Sequence, residues 1–327
     1  MKHPSPRYVV TGGAGFIGSR LTEALNARGE EDILLVDRLG RSEKWRNLTD
    51  VRFADYRDRA DFLEDVRADR VTPPEAVFHL GACSATTEDD ASFLMENNYR
   101  YSRSLCEWCL RHGVRFIYAS SAATYGDGGL GYKDDEATVR RCRPLNRYAL
   151  SKQVFDLWAL NSGALQHCAG LKYFNVYGPG ESHKGAMRSM VHKAYEQLRN
   201  DGRIRLFKST HPDYSDGGQV RDFIYVRDAV AVTLYFHDHP RVSGLFNCGT
   251  GCARSWNDLA RAVCAACDCP PAIEYIEMPA ALRSAYQNHT QADISKLRTA
   301  GYLEPMTSLE EGVGDYVGRL RAQDGRA

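Results

Sequence analysis

Short apolar runs alternate with longer amphipathic ones through the first half of the chain. "RYVVT" (7–11), "ILLVD" (33–37), "AVFHL" (76–80) and "RFIYAS" (115–120) read as buried strands. "SRLTEALNARG" (19–29) and "NNYRYSRSLCEWCLRHG" (97–113) read as helices that end at a glycine. Repeated strand–helix alternation predicts an α/β fold, a doubly wound parallel sheet covered on both faces. After "LKYFNVYGP" (171–179) the pattern loosens. A polar loop, "KSTHPDYSDGGQ" (208–219), precedes "VRDFIYVRD" (220–228), and "LFNCGTG" (245–251) follows a further helix. The expected division is a dinucleotide-binding domain over 1–174 and about 219–246. A smaller, discontinuous α/β substrate domain is expected over 175–218 and about 247–327. No internal repeat or low-complexity tract interrupts either.

The 42 basic residues balance 42 acidic ones, which argues against a general nucleic-acid binder. "MKHPSPRYVVTGG" has no long apolar run, and nothing later approaches 18 consecutive apolar residues, so neither a signal peptide nor a membrane partner is expected. A cytoplasmic protein with reduced thiols is the expectation for its ten scattered cysteines. "CAACDC" (264–269) invites a zinc reading, but no second cluster offers the remaining ligands at a matching spacing, and no metal is expected.

"VVTGGAGFIG" sets Gly12, Gly15 and Gly18 between a strand and a helix. Such a turn needs glycine at the bend, where a diphosphate nears the helix amino terminus, and where helix packs on strand. This predicts a Rossmann-type dinucleotide site. Asp37 ends the second strand, where an acid meets the adenosine ribose of NAD. Arg38 and Lys44 follow, and cationic side chains hold a 2′-phosphate, which favours NADP and leaves NAD open.

"NRYALSK" places Tyr148 and Lys152 four apart near a helix start, so both project from one face. A nearby ammonium and an oxidised nicotinamide would both favour the phenolate, making Tyr148 an acid/base for alcohol–ketone interconversion. Ser121, just beyond the strand "RFIYAS", could donate to the substrate oxygen. "GPGESHKGAM" (178–187) carries a lone lysine, Lys184, in a glycine-rich loop. A solvated surface charge is the ordinary reading of such a residue.

"TGGAGFIG", "HLGA", "SSAATYG", "YALSK", "YFNVYGP", "RDFIYV" and "FNCGTG" together resemble the extended short-chain dehydrogenase/reductase family, which includes nucleotide-sugar epimerases and dehydratases. The resemblance covers nearly the whole chain and implies NAD(P) on the amino-terminal domain and a nucleoside-diphosphate sugar on the carboxyl-terminal one. Ser121-Ala122-Ala123 lacks the acidic residues that follow the serine position in dehydratases, which disfavours elimination. "FADYRD", "GACSATTEDD", "ENNYRYS", "HKGAM" and "AYQNHTQAD" are similar to the branch that acts on an ADP-heptose at C6″. That likeness implies NADP contacts from Phe16, Ile17, Asp37, Arg38, Lys44, Arg59, Leu80, Gly81, Ala82, Cys83, Ser84, Asn97, Lys152, Val176 and Lys184. It implies sugar-nucleotide contacts from Ser121, Asn175, Ala186, Lys193, Phe207, Lys208, Ser209, Thr210, Arg221 and Tyr286. It further implies Lys184 as a second proton carrier beside Tyr148, and a homo-oligomer. Epimerisation or reduction of another nucleotide sugar is the near alternative, and a non-catalytic dinucleotide sensor the remote one.

Overall fold

The computed structural model describes residues 6–283 and 286–325. Among these residues the first six strands are β1 (Tyr8–Thr11), β2 (Ile33–Asp37), β3 (Asp55–Asp58), β4 (Ala76–His79), β5 (Arg115–Ser121) and β6 (Ala169–Tyr173). Six more follow: β7 (Asn175–Tyr177), β8 (Ile204–Phe207), β9 (Val220–Tyr225), β10 (Gly244–Cys248), β11 (Ala253–Ser255) and β12 (Ile273–Ile276). Strands β1 to β6 and β10 make one parallel sheet, ordered β10-β6-β5-β4-β1-β2-β3. The α/β expectation holds.

Successive side chains of each central strand enter different cores, as the two-residue period of a strand requires. Tyr8, Val10, Ile33, Leu35 and Phe78 pack with Leu21 and Leu25 of the helix Phe16–Ala27 and with Val230 and Leu234 of the helix Val226–Asp238. Val9, Leu34, Val36 and Val77 pack on the other face with Phe62 and Val66 of the helix Arg59–Arg67 and with Leu105 and Trp108 of the helix Tyr101–Arg111. The chain runs outward from β1 to β2 and β3, then returns to pair β4 against the opposite side of β1. That reversal opens a crevice at the carboxyl ends of β1 and β4.

The expected helix over 97–113 is longer and less regular. It starts at Ala91, where the Asp90 carboxylate accepts from the Phe93 amide at 2.9 Å, and widens to a π-turn over Met95–Arg100 before Tyr101–Arg111. Ser121 is the last residue of β5 rather than the first beyond it.

The smaller unit joins β7 to β9 in parallel and β11 to β9 antiparallel, with β8 and β12 paired beside it. Its helices Trp256–Ala266 and Leu309–Asp324 each begin with a reciprocal cap, Ser255 with Asp258 and Ser308 with Glu311. The expected boundaries near 219 and 246 fall just before β9 and within β10. β9 joins the small sheet, while β10 continues the large sheet to Cys248. β9 carries buried Arg221 and Asp222 ahead of apolar Phe223, Ile224 and Tyr225, β10 is mostly apolar, and only their partners, distant in sequence, decide which sheet each completes. Among the described residues no helix is long and apolar enough to cross a membrane. Nor do three His, Cys, Asp or Glu side chains among them gather as a metal-ligand set.

Close contact fixes the turn after β1. A Cβ on Gly18 would sit 2.1 Å from the Gly12 carbonyl oxygen, and one on Gly12, whose φ is +70°, 2.7 Å from the Gly81 amide nitrogen. The first helix, the turn and the loop after β4 therefore meet backbone to backbone. Gly18→Ala should cost about 1–3 kcal/mol by forcing this contact apart. It should also weaken dinucleotide binding, both readable by thermal melts with and without the dinucleotide.

Candidate active site

Two adjoining cavities occupy the crevice, and Ala82 lines both. The smaller, about 190 Å³, is lined by Gly12, Asp37, Arg38, Lys44, Arg59, Gly81, Cys83 and Asn97. The larger, about 680 Å³, is lined by Phe16, Ile17, Leu80, Ser84, Ser121, Tyr148, Lys152, Asn175, Val176, Lys184, Lys193, Phe207 and Tyr286. Residues from both units thus share one continuous site.

Gly15 and Gly18 lie outside both linings. Gly15 caps the first helix and Gly18 packs it against the turn. The Asp37 carboxylate accepts from the amides of Ala14 (3.0 Å) and Arg38 (2.6 Å) and from Lys44 Nζ (2.6 Å). The expected ribose acid and the expected phosphate cation are therefore paired with each other at the cleft wall. Three cationic side chains, Arg38, Lys44 and Arg59, face this one buried carboxylate in the smaller cavity.

The 10 residues expected at the sugar nucleotide divide. Ser121, Asn175, Lys193, Phe207 and Tyr286 line the large cavity, with Phe207 and Tyr286 edge to face at 6.4 Å. Arg221 is buried behind that wall, stacked over Trp256 (5.3 Å) and Tyr286 (5.1 Å), with Nη1 donating to the Val220 carbonyl. Ala186, Lys208, Ser209 and Thr210 do not line it. Ala186 is exposed, and Lys208 pairs with Glu277 at 2.8 Å on the surface. Past Phe207 the chain turns away, held by Ser209 N donating to Asp216 Oδ1 at 2.8 Å and by the Ser209 hydroxyl on the His211 carbonyl.

The helix Arg147–Asn161 starts where the Asn146 side chain accepts from the Ala149 amide. Tyr148, Lys152 and Asp156 recur every four residues along one stripe of it. Lys152 is 5% exposed, and its Nζ donates to the Ala119 carbonyl at 2.9 Å. Burial lowers its pKa to about 8, against the pull of Asp156. Burial likewise raises the Tyr148 phenol, opposed by its hydrogen bond with Ser121. The expected depression of the phenol is thus reversed among the protein's own groups. The ammonium bonds the strand end instead of the phenol, and desolvation wins. Lys184 lies in the turn Ser182–Met187 with Nζ 5.4 Å from the Phe16 ring centroid, and burial lowers its pKa as well. It is not a solvated surface charge.

A buried network beneath Ser121 escapes sequence reasoning. Asp156 and Lys172 are both fully buried and pair at 2.6 Å. Asp156 also accepts from Ser120 (2.6 Å) and Tyr118 (3.1 Å), and Lys172 donates to Thr124 Oγ1 (2.6 Å), whose hydroxyl donates to the Ser121 carbonyl (2.7 Å). The available signals were an acid within an apolar helix and a lysine within the strand "AGLKY". Arg205 and Trp256, also in the large cavity, were missed too. Arg205 alternates with Phe207, so the β-strand period alone placed them on the same side.

The chain belongs to the NAD dependent epimerase/dehydratase family, whose model matches residues 8–249. Among its relatives, the ADP-L-glycero-D-manno-heptose-6-epimerase of Nitratidesulfovibrio vulgaris (strain DP4) is 58% identical over 311 residues, 95% of this chain and 96% of that one. The crystal structure of the Helicobacter pylori ADP-L-glycero-D-manno-heptose-6-epimerase superposes with a TM-score of 0.80 at 27% identity, covering 97% of each chain. The Thermus thermophilus UDP-glucose 4-epimerase in complex with NAD superposes at 0.75 with 28% identity, over 96% of this chain and 99% of that one.

Removing one partner of the Asp156–Lys172 pair should be far worse than removing both. Lys172→Met should cost about 3–5 kcal/mol by stranding a buried carboxylate. Adding Asp156→Leu should recover part of that loss, as read by a double-mutant cycle in denaturant unfolding.

Proposed function

We propose that this protein inverts C6″ of ADP-D-glycero-D-manno-heptose to give the L-glycero epimer, through a transient 6″-ketone and with NADP as its resident cofactor. One observation carries the reading: two separate proton-handling side chains, Tyr148 and Lys184, reach a single large cavity from different elements. A simple reductase needs one acid/base. An epimerase meets two alcohols whose oxygens point differently, and benefits from a proton carrier for each.

The glycine turn, with no room for side chains, suits a bound diphosphate at the first helix amino terminus. Arg38, Lys44 and Arg59 around Asp37 give the cleft an excess of positive charge suited to a 2′-phosphate. A nicotinamide bound there would supply the redox chemistry as a reversible hydride acceptor. The residues supply position and protons. Ser121 holds the reacting oxygen close to Tyr148. Burial biases Lys184 towards the neutral amine and Tyr148 towards the phenol, so the cavity offers a base and an acid together. The base takes the hydroxyl proton as the ketone forms. Rotation about C5″–C6″ then presents the other carbonyl face, and the acid protonates the returning alkoxide.

Incubation with ADP-D-glycero-D-manno-heptose, with C6″ configuration read by NMR, tests the reading; an unchanged substrate refutes it. Deuterium placed at C6″ should remain there after epimerisation, whereas exchange with solvent would indicate deprotonation at carbon. Tyr148→Phe and Lys184→Met should each abolish epimerisation while still handling one half-reaction of a 6″-aldehyde analogue. Lys44→Glu should weaken NADP far more than NAD, measured by titration of each, because it sets a like charge near the 2′-phosphate.

A further inference from the structure

We propose that Glu181 is a positioning residue for the proposed reaction: its buried carboxylate anchors the turn that carries Lys184 to the start of the helix Met190–Asp201. The proposal rests on the reading of Lys184 as a proton carrier. A lysine has four rotatable bonds, so its use as an acid/base demands that its backbone be held and its stem packed. The Phe16 ring packs the head. Glu181 holds the backbone.

Glu181 is fully buried in a loop where carboxylates are ordinarily solvated. Its Oε2 accepts from the Ser189 amide and its Oε1 from the Ser189 hydroxyl, each at 2.5 Å, which seats the charge at a helix amino terminus. Its own carbonyl accepts from the Lys184 amide at 2.9 Å. Burial and the nearby Glu181 carboxylate push up the phenol of Tyr316, from the helix Leu309–Asp324, and its oxygen meets His192 Nδ1 at 2.8 Å. Arg188 closes the far side of the turn, its Nε donating to the Gly185 carbonyl at 2.9 Å. Positive φ at Gly178, Gly180 and Gly185 lets the chain wrap the carboxylate on so short a path.

The donors on Glu181 are neutral, so its field extends to Lys184. Burial and the Lys193 ammonium push the Lys184 pKa down, and Glu181 pushes it up. His183, on the same turn, is pushed down by burial and by the Lys44 and Lys184 ammoniums. Removing the carboxylate charge should therefore lower the Lys184 pKa further, and the limb of the rate profile that titrates Lys184 should move to lower pH.

Glu181→Gln in the full chain, with its bound dinucleotide, should keep KM within about threefold while kcat falls roughly 10- to 100-fold. The limb of the kcat–pH profile assigned to Lys184 by its absence from the half-reaction that Lys184→Met retains should shift down by on the order of half to one unit. Glu181→Asp should restore the position of that limb without full kcat. An unmoved limb in Glu181→Gln, with Lys184→Met inactive, overturns the role of Glu181 alone. Near-normal turnover by Lys184→Met overturns the reading of Lys184, and this role with it. Should Glu181→Gln not fold, Tyr316→Phe keeps the test open. Loss of that hydroxyl, which joins His192 on the Ser189-capped helix to the helix Leu309–Asp324 beside Glu181, should lower kcat several-fold at constant KM, and an unchanged kcat overturns the proposal.

Discussion

The buried pair of Asp156 and Lys172 is the constraint on which the rest of the site depends. It joins the helix that carries Tyr148 and Lys152 to the strand next to β5, and β6 places Lys172 opposite Ser120 in register. Ser120 and Thr124 then hold Ser121 from either side. Two opposite charges removed from water cost more than they return unless their remaining hydrogen-bonding capacity is met. Here Tyr118, Ser120 and Thr124 meet it. The pair specifies a geometry more than it adds stability, and that geometry is the relative position of three candidate catalytic side chains.

The same carboxylate works at a second distance. Lys152 lies one turn earlier on its helix, and burial alone would drive its ammonium towards neutrality. Asp156 counters that tendency from beneath without forming a contact ion pair, which leaves Nζ free to hold the Ala119 carbonyl. Glu181 stands in the same relation to Lys184 in the smaller unit. Lys152 and Lys184 each have a buried acid nearby without a contact ion pair, and that acid opposes the loss of charge that burial favours.

The large cavity exists because two units with different sheets meet over the carboxyl ends of β1 and β4. One side is rigid, since its floor is the parallel sheet with both faces covered. The other is made of short strands and turns, with Phe207, Trp256 and Tyr286 as its aromatic wall. Ser121 and Tyr148 stand on the rigid side, while Lys184 and the aromatic wall come from the turns and short strands opposite.

The strand and helix alternation of residues 7–120, the glycine turn and the Tyr148–Lys152 spacing were all legible in the sequence, because each is a local pattern with a period of two or four residues. The resemblance carried Lys184 and the cleft lining further than periodicity could. Other features were decided only by the tertiary structure. Long-range pairing alone sends β9 to the small sheet and β10 to the large. Lys208, Ser209 and Thr210 follow Phe207 directly, yet a local turn on Asp216 carries them off the cavity wall. The pairing of Asp37 with Lys44, the rise of the Tyr148 phenol and the junction of Asp156 with Lys172 all depend on burial and on contacts between distant segments. Sequence patterning determines which faces turn inward. Only the folded chain decides which buried charges find each other, because desolvation and Coulomb energy depend on distances that no local pattern contains.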